Sequence, residues 1–170
     1  MRYFAGQSRL AGMEFHTRLI TTYFLVLVLV ATAASVLLAA RTTGASAAGA
    51  AAYYRGDGEG MLFPKEPAEL LETAHFHLFA MPLIFLTTGH LFLLTAWPAR
   101  VKGFVITSCF AYIALDVAKP WLVRYAGPAW GVLAPVNSAL LGGTMLVCIL
   151  VPLYEMWLLP SRPQPGPPEP

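Results

Sequence analysis

Four long apolar segments alternate with short polar stretches along the chain. Each segment has the length of about 20 residues that a helix needs to cross a hydrocarbon core roughly 30 Å thick. Lipid offers no hydrogen-bond partner to the backbone, so each segment must be helical. The pattern therefore predicts an all-α fold, a four-helix transmembrane bundle. The predicted spans run from about Leu19 to Ala40, Thr73 to Trp97, Gly103 to Val123 and Trp130 to Leu159.

The connections between the spans differ in length and composition. The stretch 41–72 is the only long loop, and Pro67 is suited to the first turn of a helix that continues into the second span. The last eleven residues contain six prolines, which favours an extended surface segment. We therefore divide the chain into a cytoplasmic or interfacial N-terminus (1–18), a four-span bundle (19–159) with an outer loop (41–72), and an extended tail (160–170).

Composition supports a membrane protein and excludes several functions. Hydrophobic residues make up 57% of the chain and charged residues 12%, about half the usual charge of a soluble domain. The spans leave no room for a catalytic domain, so we do not expect a catalytic subunit on its own. The net charge of +2 is spread along the chain, which gives no nucleic-acid surface. Cys109 and Cys148 lie in apolar runs without a C-x-x-C motif, and we interpret both as core residues.

The positions of lysine and arginine favour both termini in the cytoplasm. Cytoplasmic ends of spans carry an excess of these residues. Six of them fall on the side of the termini and five on the side of the outer loop. The first group is Arg2, Arg9, Arg18, Arg100, Lys102 and Arg162, and the second is Arg41, Arg55, Lys65, Lys119 and Arg124.

Three of the four histidines lie on the second span. Ionisable residues within a span are costly, so we expect them to face the bundle interior and to mark a function. His75 and His90 are 15 residues apart, which places them about 60° apart around the helix and about 22 Å apart along it. They therefore share a face near opposite leaflets, as two stacked metal sites would require. His77 lies about 200° from His75 and cannot serve the same site unless the helix unwinds.

This arrangement resembles the b-type haem subunits of respiratory complexes, in which one helix supplies an axial ligand to each of two haems. The resemblance implies haem b, with His90 and His75 as ligands of the iron. It also implies an electron-transport subunit whose partners are other membrane subunits and a c-type cytochrome on the outer side. The stretch from Glu72 to His90 further resembles segments of uncharacterised bacterial four-span membrane proteins, a resemblance that implies no function. We expect the protein in the bacterial inner membrane.

A bis-histidine haem needs a second ligand from another helix. His16 is the only histidine outside the second span, and it would pair with His90 if the first span extended inward. Apart from His77, the outer site around His75 has no histidine partner in this chain. Its other ligand would be a methionine, such as Met61 or Met81, or a residue of a partner subunit, or there would be none. One haem is therefore better supported than two.

Other residues of the spans could assist such a site. Asp116 and Lys119 are three residues apart on one helix and can form an ion pair. Alternatively, Asp116 would accept a hydrogen bond from the ring of His75 or His77 and orient it. Gly89 lacks a side chain and would let a flat ring or another helix approach closely.

Three other functions are compatible with the same residues. The chain could be a cofactor-free structural or assembly subunit of a membrane complex. It could also bind a pigment, because one histidine is enough to ligate the magnesium of a chlorophyll. Finally, His75 and His77 form a His-x-His pair that could bind copper or zinc.

Overall fold

The computed structural model describes residues 10–58 and 61–159, and it confirms the all-α transmembrane bundle. Four of its helices are long and apolar enough to cross a membrane. The segment 160–170, predicted to be an extended tail, lies outside the described residues. The helices are α1 (Phe15–Thr43), α2 (Ala47–Arg55), α3 (Pro67–Leu93), α4 (Ala99–Trp121) and α5 (Leu133–Leu158), with a π-helical turn (Leu122–Ala126) and a 3-10 turn (Pro128–Val132) between α4 and α5.

The two connections of α3 show how local chemistry sets helix ends. Pro67 occupies the first turn of α3 as predicted, and the side chain of Glu69 accepts a hydrogen bond of 2.9 Å from the backbone N–H of Glu66. At the other end α3 stops at Leu93, earlier than the sequence indicated. The hydroxyl of Thr95 donates to a carbonyl of the last turn, and Pro98 directly precedes α4. The connection between α3 and α4 is therefore residues 94–98. The predicted spans, which end at Trp97 and begin at Gly103, had left residues 98–102 for it.

The long loop contains a helix that the sequence analysis missed. The hydroxyl of Ser46 caps α2 by accepting a hydrogen bond of 3.0 Å from the N–H of Gly49. Helix α2 then packs against the turns between α4 and α5. The contact is so close at Gly131 that an added Cβ would lie 2.3 Å from the carbonyl oxygen of Ala47. We call this side of the membrane, with residues 44–58, 61–66 and 122–132, the loop side, and the opposite side the terminal side.

Helix α5 is the centre of the bundle. It packs against α1, α3 and α4, whereas α1 packs mainly against α5 and α2. Helix α5 contributes more of the buried core than any other described helix. Close helix contact in lipid depends on small and polar side chains, in which α5 is rich. Its buried residues are Ala134, Asn137, Leu141, Met145, Cys148, Ile149, Pro152, Glu155 and Met156.

Candidate functional site

His75 and His90 lie on the outward face of α3, contrary to the expectation that they face the interior. Both side chains are exposed, and so are Phe79, Leu83 and Leu86 between them. These residues follow one another at intervals of three or four positions, which forms a continuous stripe on one helix face. The opposite face of α3 makes the contacts with α4 and α5. We call this surface the α3 stripe.

The described residues do not bring a second histidine to either imidazole. His16 is exposed at the start of α1, where its ring makes an edge contact with Phe15 at 5.7 Å, and it makes no ring contact with His90. The ring of His75 lies 5.0 Å from that of Phe79 on its own helix. Met61 is exposed and Met81 packs against the core. Among the described residues, no group of three or more His, Cys, Asp or Glu side chains is placed to hold a metal ion.

Gly89 is buried in the contact between α3 and α4. An added Cβ would lie 3.9 Å from Cγ1 of Ile106, an ordinary van der Waals distance, so this contact does not require a glycine. The approach of a flat ring to Gly89 stays a prediction. His90, next in sequence, points away from that contact.

His77 points inward, towards a cluster of polar side chains. Its Nδ1 donates a hydrogen bond of 3.0 Å to the carbonyl of Thr73, one turn earlier. This bond leaves Nε2 directed to Asp116, whose Oδ2 lies 4.0 Å away. Because Nδ1 carries the hydrogen, Nε2 of the neutral ring has a free lone pair.

Asp116 joins three helices in this cluster. It forms the predicted ion pair with Lys119 on α4, and its Oδ1 accepts a hydrogen bond of 3.2 Å from Nδ2 of Asn137 on α5. The same amide nitrogen is 3.2 Å from the carbonyl oxygen of Tyr112. Oδ1 of Asn137 is buried and has no hydrogen-bond partner in the described structure. The sequence did not indicate a contact between Asn137 and Asp116, because the two residues belong to different spans.

Tyr54 of α2 approaches the polar cluster from the loop side. Burial, the neighbouring Tyr53 and the negative charge of Asp116 raise the pKa of Tyr54 to about 12. The phenol is therefore neutral at physiological pH. Arg55, the next residue, donates hydrogen bonds of 3.2 and 2.9 Å to the carbonyl oxygens of Val123 and Arg124 in the π-helical turn. Helix α2 thus covers the cluster and is held to the end of α4.

A second group of polar contacts lies on the terminal side. Both carboxylate oxygens of Glu155 accept hydrogen bonds from the backbone N–H of Ala96, at 3.0 and 2.9 Å. The buried ammonium of Lys102 donates to the carbonyl oxygens of Leu93 and Thr95. These bonds satisfy backbone groups that the end of α3 leaves free. This group therefore holds the α3–α4 connection against α5.

Nearby, α1 is attached to the end of α5. The indole N–H of Trp157 donates a hydrogen bond of 2.9 Å to the hydroxyl of Thr22, and the guanidinium of Arg18 lies 5.3 Å from the centre of the indole ring. Arg18 also donates to the carbonyl oxygens of Ala11 and Met13, at 3.0 and 3.2 Å. The segment before α1 is thereby folded back onto the bundle.

Comparison with known proteins places the chain in a family defined by its membrane helices. Residues 44–163 match the Aq_1264_TM family, which is described as a transmembrane helical domain. No curated protein matches the chain. No solved structure matches it either. The matched segment includes α2 to α5 and covers more than half of the chain. The protein is thus a multi-pass integral membrane protein that belongs to the Aq_1264_TM family of transmembrane helical domains.

Proposed function

We propose that the protein is a membrane subunit of an electron-transport complex that holds b-type haem through His75 and His90. The observation that supports this proposal is the α3 stripe, which presents two imidazoles on one outward, apolar helix face. Because the two imidazoles are about 22 Å apart along α3, each would hold its own haem between this face and a partner subunit. The single haem favoured by the sequence rested on a His16–His90 pair, which the described residues do not form. When bound, haem supplies one-electron transfer through its iron.

The cost of an imidazole in lipid supports a covered stripe. Both His75 and His90 fall within the predicted second span, from Thr73 to Trp97, whose surroundings are mainly hydrocarbon. A polar group without a partner costs several kcal/mol in such surroundings, so ionisable residues of spans usually have one. In the described structure neither His75 nor His90 makes a hydrogen bond. A metal or a group from a partner subunit would satisfy each ring.

The α3 stripe supplies one imidazole near each side of the membrane, so each haem would have one axial ligand from this chain. His77 already bonds to Thr73 and faces Asp116, so we assign it to the polar cluster rather than to a haem. A partner subunit would therefore provide the other axial ligand. In this arrangement a c-type cytochrome would exchange electrons with the haem nearer the loop side, next to His75.

Pigment binding is a second candidate, favoured by the isolation of each imidazole. Magnesium in a chlorophyll takes a single protein ligand, so His75 and His90 would each be sufficient without a partner histidine. The third candidate is a cofactor-free structural subunit, in which the two rings would form hydrogen bonds to a neighbouring helix. The three candidates use the same stripe and differ in what covers it.

Spectra of the complex isolated in mild detergent from native membranes would separate the candidates. We expect a Soret band and a reduced α-band, both weakened in the variants His75→Ala and His90→Ala. His16→Ala is the matched control and should leave the spectrum unchanged. If the complex shows no haem bands, the electron-transport proposal fails. Extraction of a pigment would then favour the second candidate, and the absence of both groups would favour the structural subunit.

A further inference from the structure

Two cysteines from different spans meet in the core of the bundle. Sγ of Cys109 on α4 lies 4.0 Å from Sγ of Cys148 on α5. The side chains are 2% and 0% exposed. The cysteines are 39 residues apart in the chain, so no local motif indicates the pair. This site is separate from the α3 stripe and from the polar cluster.

The pair lies close to the middle of the membrane. Cys109 is ten residues from the start of α4 and Cys148 is ten residues from the end of α5. Each is therefore about 15 Å along its helix from the terminal side, which is about half of the hydrocarbon thickness. At this depth neither thiolates nor charged oxidants are stable, because hydrocarbon does not solvate ions.

We infer that Cys109 and Cys148 form a redox-active dithiol that a lipid-soluble quinone oxidises to a disulfide between α4 and α5. The sulfurs of a disulfide are about 2.0 Å apart, so each sulfur has to move by about 1 Å from its present position. Both S–H bonds break and one S–S bond forms. The two electrons and two protons that are released reduce the quinone to its quinol.

A quinone fits the site because the reaction leaves no charge in the hydrocarbon. The dithiol, the disulfide, the quinone and the quinol are all neutral, and the electrons and protons balance within the pair of reactants. The sulfurs are buried at the seam between α4 and α5. The quinone would therefore reach them from the lipid through a local separation of these two helices.

The disulfide would join α4 and α5, which otherwise contact each other only through non-covalent interactions. Asp116 and Asn137 connect the same two helices, seven and eleven residues from the cysteines towards the loop side. The disulfide would add a covalent link between α4 and the central helix. Oxidation would therefore restrict any motion of α5 relative to α4, and reduction would release it.

Counting free thiols tests the inference directly. The reduced full-length protein in lipid nanodiscs is treated with decylubiquinone without oxygen, then denatured and labelled with a maleimide. We expect the number of labels on the intact protein, measured by mass spectrometry, to fall from two to none. One quinol should form for each protein chain, as measured by absorbance.

The single variants Cys109→Ser and Cys148→Ser are the matched controls. Each should keep its one label and reduce no quinone, and circular dichroism would verify that each remains helical. If the wild-type protein keeps both labels after the quinone treatment, the inference is overturned. It is also overturned if a single variant loses its label, since the reaction would then not require the pair. The quinol yield of the wild-type protein gives a readout that does not depend on the folding of the variants.

Discussion

Helices α1 and α5 both cross the membrane, but they are buried to very different extents. In the most apolar part of each span, 11% of the residues of α1 are buried, against 33% in the span that contains α5. The most apolar part of α1 is more hydrophobic than that of the span that contains α5, and α1 has no charged residue between Arg18 and Arg41. Helix α5 carries Asn137 and Glu155, both buried. The span with the more apolar central segment is thus the less buried of the two.

The physical reason is the solvent. In water, burying apolar surface stabilises a fold, but a leucine gains no such stabilisation by leaving lipid for protein. Side chains that lipid solvates poorly, such as carboxylates and amides, gain most from the interior. Small residues allow helix backbones to approach closely. Polar and small residues therefore determine which helix is central, and apolar residues determine only that a helix spans the membrane.

The largest expected effect comes from Glu155 of α5. Glu155→Leu replaces the carboxylate by an apolar side chain, which removes the acceptor for the N–H of Ala96 and an anion close to the buried Lys102. We expect a loss of about 3–5 kcal/mol in the free energy of unfolding, measured by denaturant titration in mixed micelles. Tyr154→Leu, at the exposed neighbouring position, is the control. If Glu155→Leu is as stable as the wild-type protein, polar side chains do not determine that α5 is the central helix.

The second prediction concerns the docking of α2 next to α5. In Gly131→Ala, the new Cβ would lie 2.3 Å from the carbonyl oxygen of Ala47, so α2 has to shift. We expect a loss of about 1–3 kcal/mol and faster hydrogen exchange in α2, measured by mass spectrometry. Gly143→Ala on α5 meets nothing within 4 Å and should exchange as the wild-type protein does. Equal exchange in both variants would show that α2 is not held by this contact.

A third variant tests the polar link between α4 and α5. Asn137→Leu removes the hydrogen bond to Asp116 while keeping a side chain of similar size. Hydrogen bonds between membrane helices contribute roughly 0.6 to 2 kcal/mol, and we expect a loss of stability in that range. The conservative variant Asn137→Gln should lose less. A gain in stability for Asn137→Leu would mean that apolar packing, rather than polarity, places α5 at the centre.

The smallest effect is expected on α1. Leu27 faces outward, and Leu27→Ala should change the free energy of unfolding by less than about 0.5 kcal/mol. Leu25 on the same helix is fully buried, and Leu25→Ala should cost at least about 1 kcal/mol through lost packing contacts. The difference in the free energy of unfolding between the two variants measures how much the buried face of α1 stabilises the bundle. If both variants lose the same stability, the assumption that only the buried leucine loses packing contacts with the protein is wrong.

Much of the architecture was predictable from local patterns. The apolar runs indicated the four spans, Pro67 indicated the first turn of α3, and the spacing of Asp116 and Lys119 indicated their ion pair. Each of these features depends on a few consecutive residues or on a single helix. The loop helix α2 was not predicted, because it is short and rich in alanine and glycine, and its contacts lie with the turns around Gly131, more than 70 residues away.

The amino-acid sequence by itself determined that the chain crosses a membrane four times and that His75 and His90 share one face of the second span. Only the tertiary structure decided that this face points outward, that His77 meets Asp116, and that Cys109 meets Cys148. The reason is that periodicity along a helix shows which residues lie on the same side, but not which side faces a neighbour. In lipid, where both sides are apolar, that choice depends on contacts between helices that are distant in the sequence.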